Sequence, residues 1–131
     1  MKYFCLVYLD EARFAHWSER EQGQLINEAL DNDDALRASG NWVFANALEA
    51  PSAAISVRVR DGKMSTTDGP FAETKEHLSG LIVIEARDLN EAIRLAARIP
   101  MARYGTIEVR PVRELQRMPV AGGAPCARTP R

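Results

Sequence analysis

The densest run of chemically useful side chains is Asp68-Gly69-Pro70-Phe71-Ala72-Glu73-Thr74-Lys75-Glu76. It places one Asp, two Glu and one Lys within nine residues. In this run Asp68 is the candidate general base or hydrogen-bond acceptor, and Lys75 the candidate anchor for an anionic group of a small ligand. Phe71 offers an apolar wall, and Glu73 a second carboxylate. The structural alternative is that Asp68 bonds the amides of its own loop as an Asx-turn, while Lys75 pairs with Glu73 or Glu76 at the surface. Exposed pairs of that kind contribute about 0–1 kcal/mol. His77 follows directly and is by type a proton-transfer residue, although a lone His at a strand start also serves in packing.

Other candidates lie farther along the chain. Tyr3 and Tyr8 fall on opposite faces of the first predicted strand, so one of them can present a phenol to a cleft; a satisfied core hydroxyl is the alternative. Arg103 and Tyr104 precede the last strand, where they either bind an anion or close the loop. Trp42 and Phe44 read as packing residues or as the lining of an apolar pocket. His16 stands beside Trp17 at a polar helix entry. With two histidines, and no cysteine beside either, no Cys-His or Ser-His-Asp triad can be assembled.

These residues need elements to hold them. Residues 2–9 are apolar on both alternating faces, the mark of a strand buried on two sides. Ser18 and Glu21 form a capping box that opens a helix with an apolar stripe of Leu25, Ile26, Ala29, Leu30 and Leu36, stopped by Gly40. Trp42 to Leu48 reads as a strand with Trp42, Phe44 and Leu48 on one face. Ile55, Val57 and Val59 alternate with polar residues up to Asp61-Gly62, a strong hairpin signal, and Lys63 to Thr67 returns. After the charged loop, Leu78 to Ala86 reads as a strand with Leu78, Ile82 and Ile84 on one face and Leu81 and Val83 on the other. Asp88 caps a second helix, Pro100 ends it, and Thr106 to Val112 is the last strand.

The order β-α-β-(β-hairpin)-α-β predicts an α+β fold of the ferredoxin-like βαββαβ kind with an extra hairpin. Both helices then cover one sheet face. Apolar residues on the other face predict a homodimer, with two sheets meeting as a dimeric α+β barrel. The domain is expected over residues 1–115. Residues 116–131, with three prolines and two adjacent glycines, are expected to form a disordered tail.

Composition narrows the function. The chain has 131 residues, 46% hydrophobic and 27% charged, with a net charge of −1. One domain with its own core fits this length. No basic face calls for nucleic acid. Cys5 and Cys126 make no disulfide framework, and no metal-ligand spacing or Gly-rich phosphate loop is present, so no cofactor is expected. No apolar run reaches membrane-span length and the first residues read as a strand, which makes a cytoplasmic location the expectation.

The segment Val57-Arg58-Val59-Arg60-Asp61-Gly62, the run from Thr67 to Glu76, and Ala97-Arg98-Ile99-Pro100 with Arg103-Tyr104-Gly105 and Ile107 to Val112 together resemble the YCII-related family, in its DGPF-domain branch. The resemblance implies a dimerising ferredoxin-like fold. It also implies either a small-molecule lyase or isomerase-type activity without a cofactor, or an accessory regulatory role linked to an extracytoplasmic-function sigma factor. A third possibility is a structural dimer without catalysis. The wider family carries a His early in the first helix and an Asp before the Pro ending the second. Here Ile99 precedes Pro100 and the helix from Ser18 to Ser39 has no His, so that acid/base dyad does not carry over.

Overall fold

The computed structural model describes residues 1–120; residues 121–131, most of the expected tail and Cys126 among them, lie outside the described residues. The chain runs β1 (Lys2–Leu9), α1 (Glu19–Ser39), β2 (Trp42–Ala47), β3 (Ile55–Arg60), β4 (Lys63–Asp68), β5 (His77–Glu85), α2 (Leu89–Ala97) and β6 (Thr106–Pro111). Single 3-10 turns occupy Glu11–Phe14, Pro51–Ala53 and Pro100–Arg103. The main sheet has the order β2-β5-β1-β6 with every adjacent pair antiparallel. This is the ferredoxin-like arrangement, with the β3–β4 hairpin inserted between β2 and β5 as a separate two-stranded sheet.

Local chemistry sets the boundaries. Ser18 Oγ accepts from the Glu21 amide while Glu21 Oε1 accepts from the Ser18 amide, so two otherwise unpaired donors at the start of α1 are satisfied. Asp88 Oδ1 accepts from the Glu91 amide at the start of α2. Asp61 and Gly62 have φ of 51° and 73°, the paired positive values of a tight two-residue hairpin turn.

The core lies between the helices and one sheet face. Tyr3, Cys5 and Val7 of β1 point there with Ile82 and Ile84 of β5, meeting Leu36 of α1, Ala92 and Ala96 of α2, and Ile99. The opposite face of β1 carries Phe4, Leu6 and Tyr8, paired in register with Val83, Leu81 and Leu78.

Two face assignments read from simple alternation are corrected by bulges. The β1–β5 register slips between Val7 and Tyr8, so Leu78 sits opposite Tyr8 and shares its face rather than that of Ile82 and Ile84. The β2–β5 register slips between Trp42 and Phe44. Trp42 therefore pairs with Ile84 and packs on the core, while Phe44 pairs with Val83 on the opposite face. An extra residue reverses the two-residue period beyond it, and nothing in the alternating pattern marks where that happens.

Candidate functional site

The loop from Gly69 to Glu76 is tied at both ends. At its start the Gly69 amide donates to Ala54 O at 2.7 Å, and Ser56 Oγ donates to Gly69 O at 2.8 Å. Near its end Thr74 Oγ1 donates to Glu76 O at 2.6 Å, and Thr106 Oγ1 donates to Glu76 Oε1 at 2.8 Å. The loop is thus fastened to the hairpin on one side and to β6 on the other. Between the ties Phe71 stands 82% exposed.

Beneath this loop is a cavity of about 630 Å³ on the helix-free side of the sheet, lined among others by Tyr8, Leu48, Phe71, Glu76, His77 and Leu78. The 3-10 turn Pro51–Ala53 contributes to its wall through Pro51 and Ala53. Tyr8 and Leu78 are register partners on the helix-free face, and His77, one residue earlier and paired with Leu9, borders the cavity where β5 begins.

The candidate residues divide among different places. Tyr8, Phe71 and His77 come together on this cavity. Lys75 and Tyr104 line a neighbouring recess with Asp10, Arg13 and Glu76, so Glu76 borders both. Tyr104 packs edge-on against Trp17 and Phe14, with ring centroids 5.0 and 6.0 Å away, and the Arg13 and Arg103 guanidinium groups lie near its ring. Arg103 is ion-paired with Glu28, which assigns it to the α1 side of the molecule. Asp68 ends β4 opposite Ile55, exposed, and is not among the residues lining the loop cavity; Glu73 is likewise exposed and outside it.

Sequence reasoning missed Thr106 and the role of Glu76. The charge run made Glu76 one carboxylate among several. Only the sheet order, which sets β6 beside β1, brings Thr106 within reach of it. Among the described residues no three His, Cys, Asp or Glu side chains converge to hold a metal ion, and no helix is long and apolar enough to cross a membrane.

The fold and the loop cavity define a ferredoxin-like α+β protein with an apolar cleft at one end of its open sheet face. The particular family follows from comparison: the YCII-related domain matches residues 1–116, and the chain belongs to that family. It is also 32% identical over 114 residues to an uncharacterized protein, R00369, of Rhizobium meliloti (strain 1021), a match covering 86% of this chain and 92% of that one.

Proposed function

We propose that this YCII-related protein binds a small, largely apolar molecule carrying a polar group in the cleft between the Gly69–Glu76 loop and Tyr8, and that it works as a homodimer. The observation that carries the reading is the cavity of about 630 Å³, in which Leu48, Phe71 and Leu78 supply apolar wall and Tyr8, Glu76 and His77 supply polar groups. That volume, with few polar groups on an apolar lining, suits a small-molecule site.

The tied loop supports the same reading, since a wall held at both ends loses little freedom when a ligand docks. Proton transfer in the manner of a cofactor-free isomerase or lyase would rest on His77, whose ring nitrogens can take and return a proton, with the Tyr8 phenol donating to a developing oxyanion. Asp68 stands outside the cleft, so the role of base passes from Asp68 to His77.

The homodimer rests on the same sheet face. Phe4, Leu6, Tyr8, Leu81 and Phe44 lie there without a covering helix, and Phe44 is 40% exposed. The hairpin adds Ile55, Val57, Val59 and Met64, each at least 59% exposed. Exposed apolar surface of this kind favours association. A second copy would cover the sheet and close the open side of the cleft.

The test is a thermal-shift screen of small carboxylates, phenols and lactones on wild type, Tyr8→Phe and His77→Ala. A ligand at 100 times its Kd stabilises by about 2.7 kcal/mol. The expected result is a ligand that raises the wild-type Tm and does so less in a folded Tyr8→Phe or His77→Ala. A ligand that stabilises all three proteins equally would place binding elsewhere.

A further inference from the structure

Three strands end side by side next to the loop cleft. β1 closes at Leu9, which pairs with His77, the first residue of β5. Tyr8 pairs with Thr106, the first residue of β6, and Gly105 runs close against the Tyr8 carbonyl oxygen. Asp10, Glu76 and Tyr104 lie just beyond these three strand ends. With Arg13 and Lys75 they line one recess of about 390 Å³. Glu76 also lines the loop cleft, so recess and cleft adjoin.

The carboxylates and cations of this recess do not pair with each other. Asp10 Oδ1 accepts from the Ala12 amide at 3.1 Å, capping the 3-10 turn that carries Arg13. Glu76 Oε1 accepts from Thr106 Oγ1 at 2.8 Å. Arg13 Nη1 donates to the Tyr104 carbonyl oxygen at 3.2 Å, which holds the guanidinium in place and leaves most of its donors free. Among the described residues neither Arg13 nor Lys75 takes part in an ion pair, whereas Arg37, Arg87, Arg103 and Arg110 each do. The surface pairing of Lys75 with Glu73 or Glu76 that the sequence allows is therefore not made. Both cations keep donors for an anion, and the planar fork of an arginine matches the two oxygens of a carboxylate.

We infer that this recess receives the polar group of the ligand held in the loop cleft, and that the group is a carboxylate. The inference rests on the cleft reading above and adds the class of ligand, a small apolar monocarboxylic acid. Its hydrocarbon part lies against Leu48, Phe71 and Leu78, and its carboxylate accepts from Arg13 and Lys75. A hydroxyl would offer these two cations a single neutral oxygen, whereas a carboxylate offers two oxygens and the opposite charge. The charges of Asp10, Glu76, Arg13 and Lys75 cancel, so one carboxylate enters against no net negative field. A second carboxylate on the ligand would meet Asp10 and Glu76, which sets the class at one acid group.

The experiment is a titration of the full chain with 4-phenylbutanoate and with its neutral primary amide, read by backbone chemical shifts. Both compounds are expected to shift residues 48–54 and 70–78, and only the acid to shift residues 10–13 and 104 as well. Wild type is expected to bind the acid about tenfold more tightly, because charged hydrogen bonds are stronger than neutral ones. In Lys75→Gln, an exposed position, that preference is expected to fall while affinity for the neutral compound holds; in Arg13→Gln it is expected to fall likewise. Equal affinity of the two compounds for the wild-type cleft would overturn the carboxylate assignment and leave the cleft reading standing. So would a preference retained in both folded variants. Failure of both compounds to bind would overturn this inference together with the reading it rests on.

Discussion

Thr106 Oγ1 donates to Glu76 Oε1 at 2.8 Å, which fastens the end of the Gly69–Glu76 loop to the edge strand β6. Tyr8 lies between the two: it pairs with Thr106 on one side and with Leu78 on the other. One exposed hydrogen bond thus links the loop to the strand that presents the phenol.

Thr106→Val removes that donor while keeping the side-chain shape. A net hydrogen bond of this kind is worth about 1 kcal/mol or less at an exposed site. Thermal unfolding should therefore show a small loss of stability. Amide hydrogen exchange should rise at residues 70–76 and stay unchanged in β1 and β5. Unchanged exchange in the loop would mean that the tie does not hold it.

Gly105→Ala should damage the fold. A Cβ at this position would lie 2.1 Å from the Tyr8 carbonyl oxygen and 2.7 Å from a Leu9 methyl. Only glycine allows the chain to pass β1 this closely before β6 begins. Strain of about 1–3 kcal/mol or more is expected, seen as a fall of several degrees in Tm. An unchanged Tm would contradict this.

Glu91 gives a pH dependence of known sign. Its carboxylate accepts from the Arg87 amide at 3.0 Å and from Arg87 Nε at 2.9 Å. The Arg87 backbone bond is the chief reason its carboxyl is held below the ordinary value of 4.5. A folded-state value below the unfolded one means stability that is full above the unfolded value and lost as pH falls through the folded one. Glu91→Gln should therefore be less stable than wild type at pH 7, and the difference in Tm should shrink below pH 4.5. A difference that grows on acidification would reverse the assignment.

Cys5 should be inert in the folded protein. It is fully buried, and burial pushes its thiol up to about 11. The thiolate is the reactive form, so a Cys126→Ser variant should resist a thiol reagent at pH 8 until it is unfolded. Rapid labelling of the native variant would show that the core opens.

Much of the fold was legible because it rests on local chemistry. The Ser18–Glu21 capping box, the Asp61-Gly62 turn and the Asp88 cap each announce themselves in a few residues, and each stands where its chemistry puts it. The sheet faces were harder to read. Bulges beside Tyr8 and Trp42 took Leu78 off the face of Ile82 and Ile84 and set Trp42 and Phe44 on opposite faces instead of one, because a bulge depends on strand pairing and leaves no alternation signal of its own. The candidate site was legible in part. The loop was visible as a charge run, and Tyr8, Phe71 and His77 do share a cavity. The run's charge drew attention to Asp68, which the strand end holds outside that cavity, while Thr106 gains its meaning only from a contact made across the sheet.

Oligomeric state offers a separate check. Sedimentation velocity at micromolar concentration should give twice the mass of one chain for wild type, and the mass of one chain for Phe4→Glu, since Phe4 lies on the helix-free face opposite Val83. A wild-type monomer would leave that apolar face without the proposed partner.

The most direct test of the central claim is to map a hit from the ligand screen by amide chemical shifts on the wild-type protein. The account predicts perturbations at Tyr8, residues 48–54 and residues 70–78, reduced in Tyr8→Phe. A hit whose perturbations avoid the Gly69–Glu76 loop and Tyr8 would contradict it.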